Sequence, residues 1–253
     1  MIDFKDSTLL KEALQNFRLL SELGLKKLRE YDKFEEIYNS NAIEGNTMTK
    51  LETKLILEEG MTISGKSMRE HLEVVNLSVA VDFIEEVVHD NIPLTERLIQ
   101  EIHQIVLQGV EGNKGEAGKY RTYGVYISGS QHHPPHALAI KEAMEKLIIW
   151  SGSEKETLHP IAYAALLHQK FVNIHPYGDG NGRTARLLMN FALTGAGYPP
   201  VHIKATEKSR SAYYEALETA HISGDTHAFI LLVKKLVDDK IKWMIDNLRQ
   251  VGD

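Results

Sequence analysis

Between His175 and Arg186 the sequence reads HPYGDGNGRTAR. A histidine, a carboxylate, three glycines and two arginines stand together there, just ahead of an apolar run. Pro176 lacks an amide hydrogen and disfavours the helical conformation at the residue before it, so chain direction breaks at His175. Gly178, Gly180 and Gly182 permit backbone angles that other residues avoid and allow a ligand close to the main chain. A helix beginning near Asn181 or Gly182 points its free amides, with a partial positive charge, into the loop. Arg183 and Arg186, three apart, lean toward one side, and their planar forks suit phosphate oxygens. Asp179 is a poor companion for an anion unless a divalent cation stands between them; magnesium bridges one carboxylate to phosphates. His175 can take a proton from a hydroxyl near neutral pH. Base, metal ligand, anion loop and charge clamp are the parts for moving a phosphorus group from a nucleotide to a hydroxyl. It is neither a Walker loop, since no Lys-Ser or Lys-Thr follows the glycines, nor a dinucleotide fingerprint, since no strand precedes it.

The elements that must position these residues are helical. STLLKEALQNFRLLSELGLKKLRE spaces its leucines as one amphipathic helix, and TKLETKLILEEG reads as another stopped by Gly60. From Ser67 to about His89 the spacing predicts a long helix with Leu72, Val75, Val79, Phe83 and Val87 as its inner stripe. Pro93 starts the next one. Helical periodicity returns over HALAIKEAMEKLIIW, HPIAYAALLHQKFVNI, TARLLMNFALTGAG, SRSAYYEALETAH and the long stretch from Thr226. Between Gly112 and Pro135 the pattern changes: glycines are frequent, and Tyr123, Val125 and Ile127 alternate, which predicts a short β-hairpin. The expectation is an all-α protein, a multi-helix bundle carrying one small hairpin.

The totals agree with one globular domain. The chain has 253 residues, 43% hydrophobic and 25% charged, and no cysteine, which excludes disulfides, thiolate zinc sites and cysteine nucleophiles. The first residues are too polar for a signal peptide, and no apolar run reaches bilayer length, so a cytoplasmic location with no membrane partner is expected. A net charge of -6 argues against nucleic acid as the main partner. The histidines lack zincin spacing; His132, His133, His136, His159 and His168 are expected at surfaces or caps.

At these residues the sequence resembles the Fic family, whose motif HPFx(D/E)GNGRxxR is matched from His175 to Arg186 with Tyr177 in place of phenylalanine. The resemblance implies an adenylyltransferase that moves AMP from ATP to a hydroxyl (Ser, Thr or Tyr) of a target protein. It implies that His175 is the base, that Asp179 holds Mg2+, and that Gly180, Asn181, Gly182, Arg183 and Arg186 bind the ATP phosphates. Tyr214 and His221, in a segment similar to the family's nucleoside-pocket helix, would border the adenosine; relatives often carry asparagine where His221 stands. It also implies that residues 119–130 form a flap over the site, to which the target peptide adds as a strand. Many relatives form homodimers, so a homodimer is expected.

A second segment, NSNAIEGNTMT, reads on its own as a helix C-terminus and turn, with Asn46-Thr47 capping the next helix. It also matches the family's inhibitory motif (S/T)xxxE(G/N) as Ser40 to Gly45. The resemblance implies that Glu44 pairs with Arg186 and obstructs the γ-phosphate, a carboxylate removing a phosphate clamp and adding like charge. The expected division is an N-terminal helical extension (1–38), an inhibitory region (39–60), the Fic core (61–225) and a C-terminal helix (226–253). Two alternatives stand beside this: the same site hydrolysing AMP from modified protein, and a helix-rich nucleotide-binding regulator without transferase activity. A DNA-reading version of the latter needs a basic recognition helix, and the last helical segment has mixed charge instead.

Overall fold

A buried helical hairpin, α7 (Pro160–Ile174) and α8 (Asn181–Gly195), forms the centre of the fold, and the motif loop is its turn. The computed structural model describes residues 2–18, 22–110, 115–127 and 129–251. Helix α7 is apolar on nearly every face, so it must be surrounded to be stable. It opens with His159 accepting from the Ile161 amide and Pro160 in the first turn, where its missing amide hydrogen costs nothing. Around the hairpin lie α4 (Met68–His89) and α5 (Glu96–Val106) on one side, α6 (Ile140–Glu154) against α7, and α9 (Glu207–Ser223) with α10 (His227–Val251) on another. The N-terminal helices α1 (Lys5–Arg18) and α2 (Glu22–Ile43) pack on α10 and on α4, and α3 (Lys50–Glu59) rests on α2 and α4. Among the described residues no helix is long and apolar enough to cross a membrane.

The helical architecture agrees with the sequence; three local expectations change. The first predicted helix corresponds to α1 and α2, and its expected continuation through Leu19–Ser21 lies outside the described residues. The inner stripe of α4 is Val74, Leu77, Val81, Ile84 and Val87, while Val75 and Val79 are exposed. Helix α4 meets α2, α3, α5 and α8, while Val75 and Val79 form a second apolar row that stays exposed, and periodicity could not choose between the two. The cap of α3 is Thr49, in a reciprocal capping box with Glu52, rather than Asn46-Thr47. Those two side chains are engaged elsewhere, by Glu70 and Glu73 of α4.

The third change concerns the hairpin. Gly112–Lys114 and Ser128 lie outside the described residues, and the described residues from Gly115 to Pro135 include no strand. This arm is tied to the helical body instead of to itself. Arg121, buried, gives its guanidinium to the carbonyls of Tyr123 (2.7 Å), Pro135 (2.7 Å) and His175 (2.9 Å). Its amide donates to Pro176 O (3.0 Å). A lone two-stranded ribbon is marginal in water, and here Arg121 holds the arm by its Tyr123 and Pro135 carbonyls.

Candidate active site

The motif loop is held from four directions. His175 ends α7 in the left-handed region (φ 49°), uncommon for a residue with a Cβ, and both its backbone groups are bonded: its amide to Phe171 O and its carbonyl to Arg121. Asn181 clasps the loop from inside, accepting from the Tyr177 amide (3.0 Å) and donating to the Tyr177 carbonyl (2.8 Å). Its oxygen and one of its two amide hydrogens are engaged in the loop. Gly180 precedes α8 with φ 75°, a conformation that favours glycine, and no side chain caps the helix. The first-turn amides of α8 are thereby left without a side-chain acceptor.

The fourth hold is His103 on α5, which the sequence reading did not single out. Its Nδ1 accepts from the Gly118 amide (2.9 Å), so Nε2 carries the proton and donates to the Asp179 carbonyl (2.9 Å). Its ring lies flat on Tyr177, 3.5 Å between centroids and 3° between planes. Burial lowers its pKa to about 4, keeping this neutral tautomer. The only signal in the sequence was a histidine on the apolar stripe of α5; its partner in the motif loop, Asp179, lies 76 residues away.

The charged residues divide into two sets. Arg183, almost wholly buried, faces Asp179 (3.2 Å) and Glu73 (3.4 Å). Arg69 of α4 closes this set, reaching Asp179 at 2.6 Å and Glu73 at 3.0 Å. Burial alone would raise the Asp179 carboxyl; Arg183, the Gly180 amide and Arg69 overcome it and hold the pKa below its usual value. Arg186 points the other way, into α2. Its Nε donates to Ser40 Oγ (2.8 Å), and its Nη2 donates to the Ser40 carbonyl (2.9 Å) and to Glu44 Oε1 (2.7 Å). Glu44 lies over the first turn of α8, where a Cβ on Gly182 would collide with its carboxylate. Gly45, at φ 95°, turns the chain away. The segment beyond is pinned to α4, with Thr47 donating to Glu70 and Asn46 to Glu73.

His175 itself is half-buried, with its Nδ1 enclosed and the Val172 backbone beside the ring. Burial, with Arg121 adding to it, lowers its pKa to about 4, so the imidazole is neutral and able to accept a proton at neutral pH. His221 and His132 stand beside it, their rings 4.5 Å apart, with His132 Nε2 donating to the Asn173 carbonyl (2.8 Å). Tyr214 is partly exposed beneath Arg210, whereas Tyr213 is a core residue bonded to buried His168 (3.0 Å). His168 is thus neither at the surface nor a cap; His136 and His159 are caps. The arm ends at this edge, where Glu218 of α9 accepts from the Ser130 hydroxyl and from the Gln131 amide (2.6 Å).

Comparison with known proteins points in one direction. The model described as the Fic/DOC family matches residues 93–193. Proteins named protein adenylyltransferase Fic, from Drosophila melanogaster and Drosophila simulans, are 40% identical over 231 residues. The match covers 90% of this chain and 46% of each relative, so the chain spans about half their length. Among solved structures, Fic-1 from C. elegans superposes with a TM-score of 0.82 at 32% identity, over 97% of this chain and 74% of that one. A Fic domain containing signaling protein from Bacteroides thetaiotaomicron gives a TM-score of 0.86 at 28% identity, over 97% and 98%.

Proposed function

Because this chain belongs to the Fic family, we propose that it transfers AMP from ATP to a side-chain hydroxyl of a protein, with Glu44 as a built-in restraint. The observation that carries this reading is the pairing of a neutral, half-buried His175 with uncapped α8 amides one turn of loop away. In the proposed reaction His175 takes the proton of the target hydroxyl, and the hydroxyl oxygen forms a bond to the α-phosphorus. The bond from that phosphorus to the β-bridging oxygen breaks, and pyrophosphate leaves. The amides of Asn181 and Gly182 receive the phosphate oxygens, Gly180, whose own amide is held by Asp179, gives the turn that aims them, and Arg183 and Arg186 offset the charge. Tyr214 and His221 would border the adenosine.

Magnesium fits the donor set. Asp179 is one carboxylate at the mouth of an anion loop, partly exposed and already balanced by two cations. Mg2+ commonly takes one such carboxylate and completes its shell with phosphate oxygens and water. When bound it would neutralise charge on the leaving pyrophosphate.

In this arrangement Arg186 is engaged by Ser40 and Glu44, and the Glu44 carboxylate covers Gly182. A triphosphate then meets like charge where its γ-phosphate needs a cation. Target segments would dock along the arm at residues 119–130, whose Tyr126 is largely exposed. A homodimer is the proposed assembly, checked by light scattering. Hydrolytic removal of AMP is the second reading. It is favoured by one observation: Glu44 acts electrostatically on His175 while staying partly exposed, as a water-orienting carboxylate must.

The test compares wild type, Glu44→Gly, and Glu44→Gly with His175→Ala, each given magnesium and ATP labelled at the α-phosphate. Label on protein in the single variant, and none in the double variant, is the expected result. Equal labelling of all three would refute both roles.

A further inference from the structure

Helices α2 and α8 meet in an antiparallel ladder with rungs one turn apart. Glu44 stands against Gly182 and Arg186, Ser40 against Arg186, and Glu36 against Asn190. Behind the last rung the helices part around a cavity of about 620 Å³, away from the motif loop, between α2, α4, α8 and the turn at Gly197–Pro200. Its walls are largely apolar, with Val81, Ile84, Leu187, Tyr198 and Pro200 among them.

Two carboxylates are buried against this space, and one of them, Asp32, is paired with Lys240. Glu36 is more than nine-tenths buried, and its one hydrogen-bond donor among the described residues is Asn190, whose Nδ2 lies 2.7 Å from Oε1. The same Asn190 amide is locked by Val201 through both its oxygen and its nitrogen, so it cannot follow the carboxylate elsewhere. The cations nearby are engaged: Lys240 with Asp32 and Lys33 with Asp82. Arg29 is exposed, and the other charges facing the cavity are the exposed acids Glu85, Glu86 and Asp90, the last paired with His89. The cavity therefore has an apolar body, an acidic rim and a buried carboxylate with no counter-ion.

We propose that this cavity is a binding site for a small organic cation, a primary amine on an aromatic or aliphatic body, whose ammonium takes the Glu36 carboxylate. An ammonium supplies the donors that Glu36 Oε2 lacks, and the apolar body fills walls that water serves poorly. Burial, opposed by the Asn190 bond and reinforced by Asp32 and Glu85, raises the Glu36 pKa to about 7; a bound cation would relieve that cost. Glu36 precedes Glu44 by about two turns of α2, so an amine seated there braces α2 against α8. That last consequence rests on the proposed restraint by Glu44; the binding itself does not.

The experiment is calorimetric titration of the full chain at about pH 8, where Glu36 is ionised, with tryptamine and with its neutral isostere tryptophol. Wild type is expected to bind tryptamine at least about tenfold more tightly than tryptophol, a charge-assisted contact of the usual size. Glu36→Gln keeps the size and the Asn190 bond and is expected to abolish the preference. Equal affinity for the two probes, a preference that survives Glu36→Gln, or binding of neither overturns the proposal. Methyl spectra of the wild type guard against a variant that fails to fold. Tryptamine should shift Val81, Ile84 and Leu187, and shifts confined to other methyls would overturn it equally. Because the readout is binding, it stands or falls separately from the transfer assay.

Discussion

Tyr177→Phe should make the protein more stable, which is unusual for a change at a fully buried residue. The ring of Tyr177 is at zero exposure, stacked on His103 and in contact with Phe171 and Tyr120. Its hydroxyl is buried with no hydrogen-bond partner among the described residues. Burial raises its pKa, as for a phenol kept from water. Leaving such a hydroxyl unsatisfied costs about 1–3 kcal/mol, and removing it leaves a gap of only one atom. The expected gain is about 1–2 kcal/mol, which in a chain of this size raises Tm by roughly 2–6 °C. Calorimetric melting and urea titration would both read it, with the urea slope unchanged because the exposed surface is unchanged. Label transfer should be retained, since the ring holds the loop and the hydroxyl does not. A loss of about 1 kcal/mol or more would refute the reasoning, because it would mean the hydroxyl is bonded, for example to a buried water.

Other outcomes follow from the same contacts. Burial holds His103, His175 and His202 near pKa 4, below the unfolded value, so their contribution to stability is full above about pH 6.5 and is lost as pH falls through 4. At about pH 5.5 each should cost on the order of 1 kcal/mol, outweighing the opposite trend of the raised carboxyls Glu36 and Asp32; Tm measured against pH should fall on the acid side, and a flat profile would contradict it. Gly182→Ala puts a methyl where the Glu44 carboxylate stands, so the Glu44–Arg186 pair should separate while stability changes by no more than about 1 kcal/mol; a crystal structure of the variant with the pair intact would refute the placement. Glu218→Ala removes the acceptor of Ser130 and Gln131; hydrogen exchange should quicken at residues 129–132 and not in α7, and unchanged exchange would mean the arm is held elsewhere.

What could be read from the sequence was what is local in it. The motif from His175 to Arg186 needs only neighbours to show its loop, its glycines and its helix start, and each helix announced itself by period. The misreadings share a cause in distant partners. Asn46 and Thr47 look like caps until Glu70 and Glu73 of another helix claim them. The alternation over Tyr123 to Ile127 looks like a strand, yet Arg121 ties the arm by its Tyr123 and Pro135 carbonyls to the helical body. Helix α4 carries a second apolar row, Val75 and Val79, that stays exposed. His103, Arg69 and Glu73 have no spacing that marks them, since each acquires its role from a loop brought to it by the fold.

The most direct measurement uses Glu44→Gly with magnesium and two samples of ATP, one labelled at the α-phosphate and one at the γ-phosphate. The account predicts that protein takes up the α label and not the γ label, and that His175→Ala in the same background takes up neither. Uptake of the γ label would mean phosphoryl transfer, and no uptake of either by a variant that binds ATP and has its target present would contradict AMP transfer altogether.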